Sequence, residues 1–156
     1  MKGDPAIVEM LNEILTAELA AINQYFLDAK MFENWGIEKL AAHFRDQALG
    51  EMKDAEELVE RILYLDGMPN LQRIGHMRVG ETPAEKLEAG LALEREAVER
   101  LRRGVELCWE KGDHGTRELL EKILVDEEQH VDWLEQQFER IERVGLEMYL
   151  AEHLHD

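Results

Sequence analysis

Little in this chain can cross-link it, kink it or anchor it in a membrane. Its 156 residues include one cysteine, Cys108, and three prolines, and aromatic residues make up only 6%. A single thiol excludes an intramolecular disulfide and any zinc cluster built on several cysteines, which leaves Cys108 as an expected small core residue. With β-branched residues also sparse, the composition is dominated by Ala, Leu, Glu, Lys, Arg and Met, the residues that lose least on entering a helix. No stretch approaches the roughly 18 consecutive apolar residues of a membrane span. Met1-Lys-Gly-Asp-Pro5 leads into no apolar run, so no secretory leader is expected and the expected location is cytoplasmic. Positive charge is scarce as well: 18 Lys and Arg stand against 35 Asp and Glu, a formal net charge of −17. Such a surface repels phosphate, which argues against nucleic acid and anionic membrane as partners. It suits cationic ligands, and divalent metals are the obvious class.

The length allows one domain with a sizeable core, expected to span residues 1–156. Asp4-Pro5 reads as an N-cap followed by proline at the first helical position. An apolar stripe then runs through Leu11, Leu15, Leu19, Ile22 and Phe26 to a break at Gly36. A second helix is predicted from about Ile37 to Asp66, stopped by Gly67 and Pro69. Residues 67–82 show no sustained period. Thr82-Pro-Ala-Glu85 is a capping box that opens a third helix, ending near Gly112. A fourth follows the Gly112–Gly115 turn, and Gly145 separates it from a short fifth, Leu146 to about His153. Two short connections make helices one and two, and three and four, antiparallel neighbours. The long link can run the length of the bundle. The expected fold is therefore all-α, a four-helix bundle with one long crossover and a short C-terminal helix.

Carboxylates interrupt the apolar stripes. Glu18 falls between Leu15 and Ile22, Glu94 between Leu91 and Val98, and Glu51 between Ala48 and Ala55 with Asp54 three residues on. Glu127 and His130 lie between Ile123 and Leu134. Any one of these could be a stripe imperfection that reaches solvent at the bundle edge. As a set they are not independent: Glu18 to Glu94, Glu51 to Glu127 and Asp54 to His130 are each separated by 76 positions. Several ionised carboxylates buried without partners would be prohibitively costly, so something must compensate them. No arginine is evidently buried with them, and metal cations are the economical answer. The donors suit iron or manganese and are poor for soft copper(I). One Glu from each of two helices, with Glu-x-x-His from each of the others, is the dinuclear carboxylate pattern of ferritin-like proteins. This chain departs from it only in placing Asp54 where the second histidine would be.

Over its whole length the chain resembles the bacterioferritins. The blocks that carry the resemblance are the opening Met-Lys-Gly-Asp, Ala21-Ile-Asn-Gln-Tyr-Phe26, Arg61-Ile-Leu63, Gly67-Met-Pro-Asn-Leu-Gln72, Asp126-Glu-Glu-Gln-His130, Asp132-Trp-Leu134 and Gly145-Leu146. The resemblance implies a ferritin-like fold and a hollow shell of twenty-four subunits, homo-oligomeric or mixed with a second bacterioferritin subunit. It also implies a di-iron ferroxidase centre in each subunit, which oxidises Fe(II) with dioxygen or hydrogen peroxide and feeds a ferric mineral. Carried over by position, Glu18 and Glu94 would be terminal ligands, Glu51 and Glu127 would bridge, His130 would bind one iron and Asp54 would serve the other. Read from pattern alone, Met52 is a surface or packing methionine. The resemblance makes it the thioether ligand of a b-type haem shared across a two-fold axis, with a ferredoxin-type reductant for iron release. Tyr25 and Trp133 read as aromatic packing, and by resemblance could relay electrons. The other histidines, His43 among them, are expected to be solvated.

Departures cluster on the second helix. Besides Asp54, the chain has Asp46, Gln47 and Gly50 where the family commonly has His, Glu and Asp on the route from centre to cavity. Three readings stay open: an active ferroxidase and storage subunit with an altered centre; a haem-carrying structural subunit of weak ferroxidase activity that co-assembles with a competent one; and a non-storage di-iron oxidase or peroxidase.

Overall fold

The computed structural model describes residues 1–155. It contains α1 (Pro5–Asn34), α2 (Glu38–Tyr64), α3 (Pro83–Lys111), α4 (His114–Val144) and α5 (Leu146–Glu152), with no strand among the described residues. None of these helices is long and apolar enough to cross a membrane. The starts follow the capping residues: Asp4, Thr82 and Asp113 each accept a hydrogen bond from a backbone N–H of the first turn. Gly112 ends α3 at a φ of 72°, a left-handed conformation that favours glycine. α2 has no side-chain cap at Ile37. Its first N–H groups are met from far along the chain, because Glu38 N donates to Leu154 O and Lys39 N to His153 O, both at 3.0 Å. α5 is held against the bundle by the fully buried Tyr149, whose hydroxyl donates to Gln137 Oε1 at 2.7 Å.

Helices α1 and α2 pack along their length, as do α3 and α4, and α1 also meets α3, whereas α2 and α4 scarcely touch. The aperiodic link runs along α1. Asn70 N donates to Asn12 Oδ1, Gly75 N to Thr16 O and Arg78 N to Gln24 Oε1, three contacts that step along α1 from its first third to the end of its second. These bonds from its backbone N–H groups to side chains and one carbonyl of α1 give the segment a fixed path without secondary structure of its own.

The inward positions recur at alternating steps of four and three. On α1 they are Ile7, Leu11, Ile14, Glu18, Ala21, Tyr25, Asp28 and Phe32, and on α4 Thr116, Leu120, Ile123, Glu127, His130, Leu134 and Gln137. This is the heptad seam of helices packed at a shallow angle. The stripe expected through Phe26 drifts off it. Fifteen residues after Leu11 an α-helix has turned about 60° past the starting direction, so Phe26 is 59% exposed and Tyr25 is buried in its place. The apolar core falls into two clusters. One holds Ile14, Ala55, Leu101 and Ile123, the other Ala21, Phe44, Leu87 and Leu134. Glu18, Glu51, Glu94, Glu127 and His130 form the polar layer between them.

A second pair of charges is buried away from that layer. Lys86, fully buried, donates to Asp28 Oδ1 at 2.8 Å, with its ammonium 5.9 Å from the centre of the Trp35 ring. Asp28 lies on the same heptad seam as Glu18, ten residues on. Removing one partner of such a pair leaves an uncompensated charge and costs about 3–5 kcal/mol, while replacing both with apolar groups is near neutral. Lys86→Met should therefore lower the thermal midpoint by several degrees, and Asp28→Leu/Lys86→Met should recover most of it. Calorimetric scans of the two variants check this.

Candidate metal centre

Each side chain of the polar layer arrives from a different point of the bundle. Glu18 comes from the middle of α1, Glu51 and Asp54 from α2, Glu94 from α3, and Glu127 and His130 from α4. The i, i+3 spacing on α2 and α4 puts both members of each pair on one helix face. Glu18, Glu51, Glu94, Glu127 and His130 are all at most 4% exposed, and Asp54 is half-buried. Ligand atoms of Glu18, Glu51, Asp54 and Glu127 lie within 4.8 Å of one another. The carboxylates stand in a row close enough to share protons, Glu18 beside Glu51, Glu51 beside Glu127, and Glu127 beside Glu94. At the far end Tyr25 donates its hydroxyl to Glu94 Oε1, and His130 Nδ1 lies 3.1 Å from the same oxygen. All six residues expected from the sequence thus converge. Met52 does not; it is 49% exposed on the outward side of α2.

Burial sets the electrostatics. Desolvation pushes Glu18 up to about 8, aided by the charge of Glu127 and opposed by a hydrogen bond from Glu51. Asp54 goes to about 8 and Glu94 to about 7, again mainly through burial, and Glu51 and Glu127 stand well above the usual carboxylate range. Burial also drives His130 down to about 3, so its ring is neutral. Its contact with Glu94 is therefore a hydrogen bond and not an ion pair. Without metal the layer keeps protons to a higher pH than ordinary carboxylates do, because burial disfavours the charged form. Two of its oxygens, Glu18 Oε2 and Glu94 Oε2, are buried with no hydrogen-bond partner. Unmet acceptors beside neutral imidazole nitrogen are a donor set that a divalent cation would satisfy.

His43 was expected in solvent and is instead part of the site. Its Nε2 lies 2.9 Å from His130 Nε2, and its ring stacks on Trp133 at 3.4 Å between centroids. One of the two nitrogens must donate to the other, which ties the orientation and tautomer of His130 to His43. The only sequence signal was position: His43 precedes Phe44, a seam residue, by one step and so sits at the seam's margin. Trp133, expected as packing, does pack, but on histidines.

Two cavities reach the layer. One of about 360 Å³ opens between α2 and α4, where the helices scarcely touch, and is lined by His43, Asp46, Gln47, Gly50, Asp54 and Gln129 among others. A smaller one of about 150 Å³ lies between α1, α3 and the link, beside Glu13, Thr16, His76, Glu96 and Arg100. Glu51 and Glu127 form part of the wall of both.

Residues 8–144 match the ferritin-like domain. The chain is 52% identical over 152 residues to the bacterioferritin of Mycobacterium tuberculosis, covering 97% of this chain and 96% of that one. The chain belongs to the bacterioferritin family. The bacterioferritin of Streptomyces coelicolor is 50% identical over 151 residues, covering 97% and 90%. That of Rhodobacter capsulatus is 41% identical over 145 residues, covering 93% and 90%. As a bacterioferritin the chain is an iron-storage protein that binds iron and assembles into an oligomer, and the buried carboxylate cluster is compatible with a metal site.

The raised carboxylate values make the metal-free protein acid-favoured. Between about 4.5 and 8 the folded layer holds protons that the unfolded chain would release, so stability falls as pH rises through that window. The metal-free protein should melt at least several degrees higher at pH 5.5 than at pH 8. Glu51→Gln/Glu127→Gln should flatten this dependence. Thermal scans across pH check both.

Proposed function

We propose that this chain is an iron-oxidising storage subunit whose reaction takes place at a dinuclear centre in the carboxylate layer. The observation that carries the reading is five carboxylates and one neutral imidazole converging from four helices, with a buried oxygen of Glu18 and another of Glu94 left without a partner. Iron is the substrate. Glu18 and Glu94, at the ends of the row, would each hold one ion, and Glu51 and Glu127 would bridge the two. His130, through Nδ1, would serve the ion at the Glu94 end and Asp54 the one at the Glu18 end.

Carboxylate oxygens attract Fe(III) more than Fe(II), because the attraction grows with the charge of the ion, so the layer favours loss of an electron. Each Fe(II) gives up one electron. Dioxygen accepts two electrons and two protons and leaves as hydrogen peroxide; hydrogen peroxide, as oxidant, accepts two of each and leaves as water. Carboxylic acids that bind metal release their protons and can supply them to this step. The cavities on the two sides of the layer offer iron a way in and a way out toward a mineral-filled shell. Asp46, Gln47 and Gly50 line the larger of them.

The outer face fits a haem shared between two subunits. The Met52 thioether is exposed beside exposed Leu49, and Phe26 lines the same groove as Leu49, so two such faces would give one haem iron two sulfurs and its ring an apolar cover. When bound, the haem supplies one-electron redox chemistry, which a ferredoxin-type reductant could use to return stored iron to Fe(II).

Admitting oxygen to apo-protein loaded anaerobically with Fe(II), and following ferric absorbance, tests the reading. A fast phase saturating near about two irons per chain is expected from a dinuclear centre. Glu127→Ala should abolish it, and Met52→Leu should keep it while losing haem absorbance. No fast phase in the unaltered chain, with one gained by Asp54→His, would make this a haem-bearing subunit that depends on a competent partner.

A further inference from the structure

The layer is unequal at its two ends. Glu51 and Glu127 occupy the middle of the hydrogen-bonded row and face both ways. At one end stand Glu18 and Asp54, at the other Glu94 and His130. The 76-residue offset that pairs Glu18 with Glu94 and Glu51 with Glu127 pairs Asp54 with His130, so donor type changes at this one position of the repeat. Ligand atoms of Glu18, Glu51, Asp54 and Glu127 are close enough for a single ion, and every one is a carboxylate oxygen. Glu18 Oε2, buried and unpartnered, belongs to that quartet. The other end offers the unpartnered Glu94 Oε2 and the nitrogen of His130.

The ends differ in rigidity too. His130 is held at both nitrogens, by Glu94 and by His43, and His43 is stacked on Trp133, while Tyr25 fixes Glu94. Such outer contacts orient a ligand before metal arrives. Asp54 is shorter than a histidine and stands half-buried on the wall of the larger cavity. One end is a preformed nitrogen-bearing position; the other is an open all-oxygen one.

We propose, resting on the dinuclear reading above, that the two metal positions differ in selectivity. The Glu94–His130 end keeps borderline cations such as zinc(II), which imidazole suits. The Glu18–Asp54 end takes hard divalent cations such as manganese(II), which carboxylates suit. The centre then fills in two distinct steps and accepts a mixed metal pair, and Asp54 is the residue that sets the difference.

Anaerobic calorimetry and pulsed EPR on the assembled apo-protein test this. Zinc(II) alone should bind in two steps separated by at least about tenfold in affinity, as the loss of a nitrogen donor at one position implies. With one equivalent of zinc(II) per chain added first and one of manganese(II) second, the manganese should show no nitrogen hyperfine coupling. Glu18→Ala should release the manganese and spare the first zinc. In Asp54→His the two zinc steps should converge to within about threefold, and nitrogen coupling should appear on the manganese. Nitrogen coupling in the unaltered chain, indistinguishable zinc steps, or loss of both ions in Glu18→Ala would overturn the inequality and leave a dinuclear centre standing. Failure of the chain to bind either ion at micromolar concentration would overturn the dinuclear reading and the inequality with it.

Discussion

A bundle that buries five carboxylates at its midpoint must neutralise them, and this requirement shapes most of what surrounds the site. Ionised and alone, they would cost more than the apolar core on either side could offset, since folded domains are stable by only about 5–15 kcal/mol. The fold has two ways to meet the demand. Protons can stay on, which is what burial enforces in the metal-free chain, where Glu18, Asp54 and Glu94 are pushed to about 8, 8 and 7. Metal cations can also replace the protons, which is the basis of the proposed function. The apolar clusters above and below the layer hold the four helices in register while either exchange takes place.

Asp28 and Lys86 show the other solution. Both are buried, on the seam or beside it, and they neutralise each other at 2.8 Å. In that pair each charge has its counter-charge, although Asp28 Oδ2 is buried without a hydrogen-bond partner. The central layer instead leaves Glu18 Oε2 and Glu94 Oε2 unmatched and stands between two cavities. What separates a structural pair from a candidate metal centre here is the missing counter-charge together with the two cavities that reach the layer.

Much of this was legible in the sequence, for physical reasons. Helix starts at Asp4 and Thr82 and the stop at Gly112 rest on local capping chemistry that needs no tertiary context. Glu18, Glu51, Asp54, Glu94, Glu127 and His130 stood out because a 76-residue offset ties them together, which no single residue could show. Three features stayed hidden. The stripe followed through Leu19 and Ile22 ends on the exposed Phe26, whereas the true seam turns through Ala21 and Tyr25 to Asp28. Asp28 lies on that turned seam, so its burial against Lys86 follows from a register that the stripe through Phe26 does not show. His43 has neither an offset partner nor an apolar stripe to interrupt; its contact with His130 exists only once α2 and α4 lie side by side. Nor does any local signal show that His153 and Leu154, just after α5, supply the carbonyls that complete the start of α2.

The exchange of protons for metal is open to direct measurement. Anaerobic Fe(II) titrated into the apo-protein at pH 7 under a pH-stat should release protons in step with binding until the centre is full, and Glu51→Gln/Glu127→Gln should release fewer. Tight binding of Fe(II) with no proton release would contradict a layer of neutral carboxylic acids and, with it, the electrostatic basis assigned to the site.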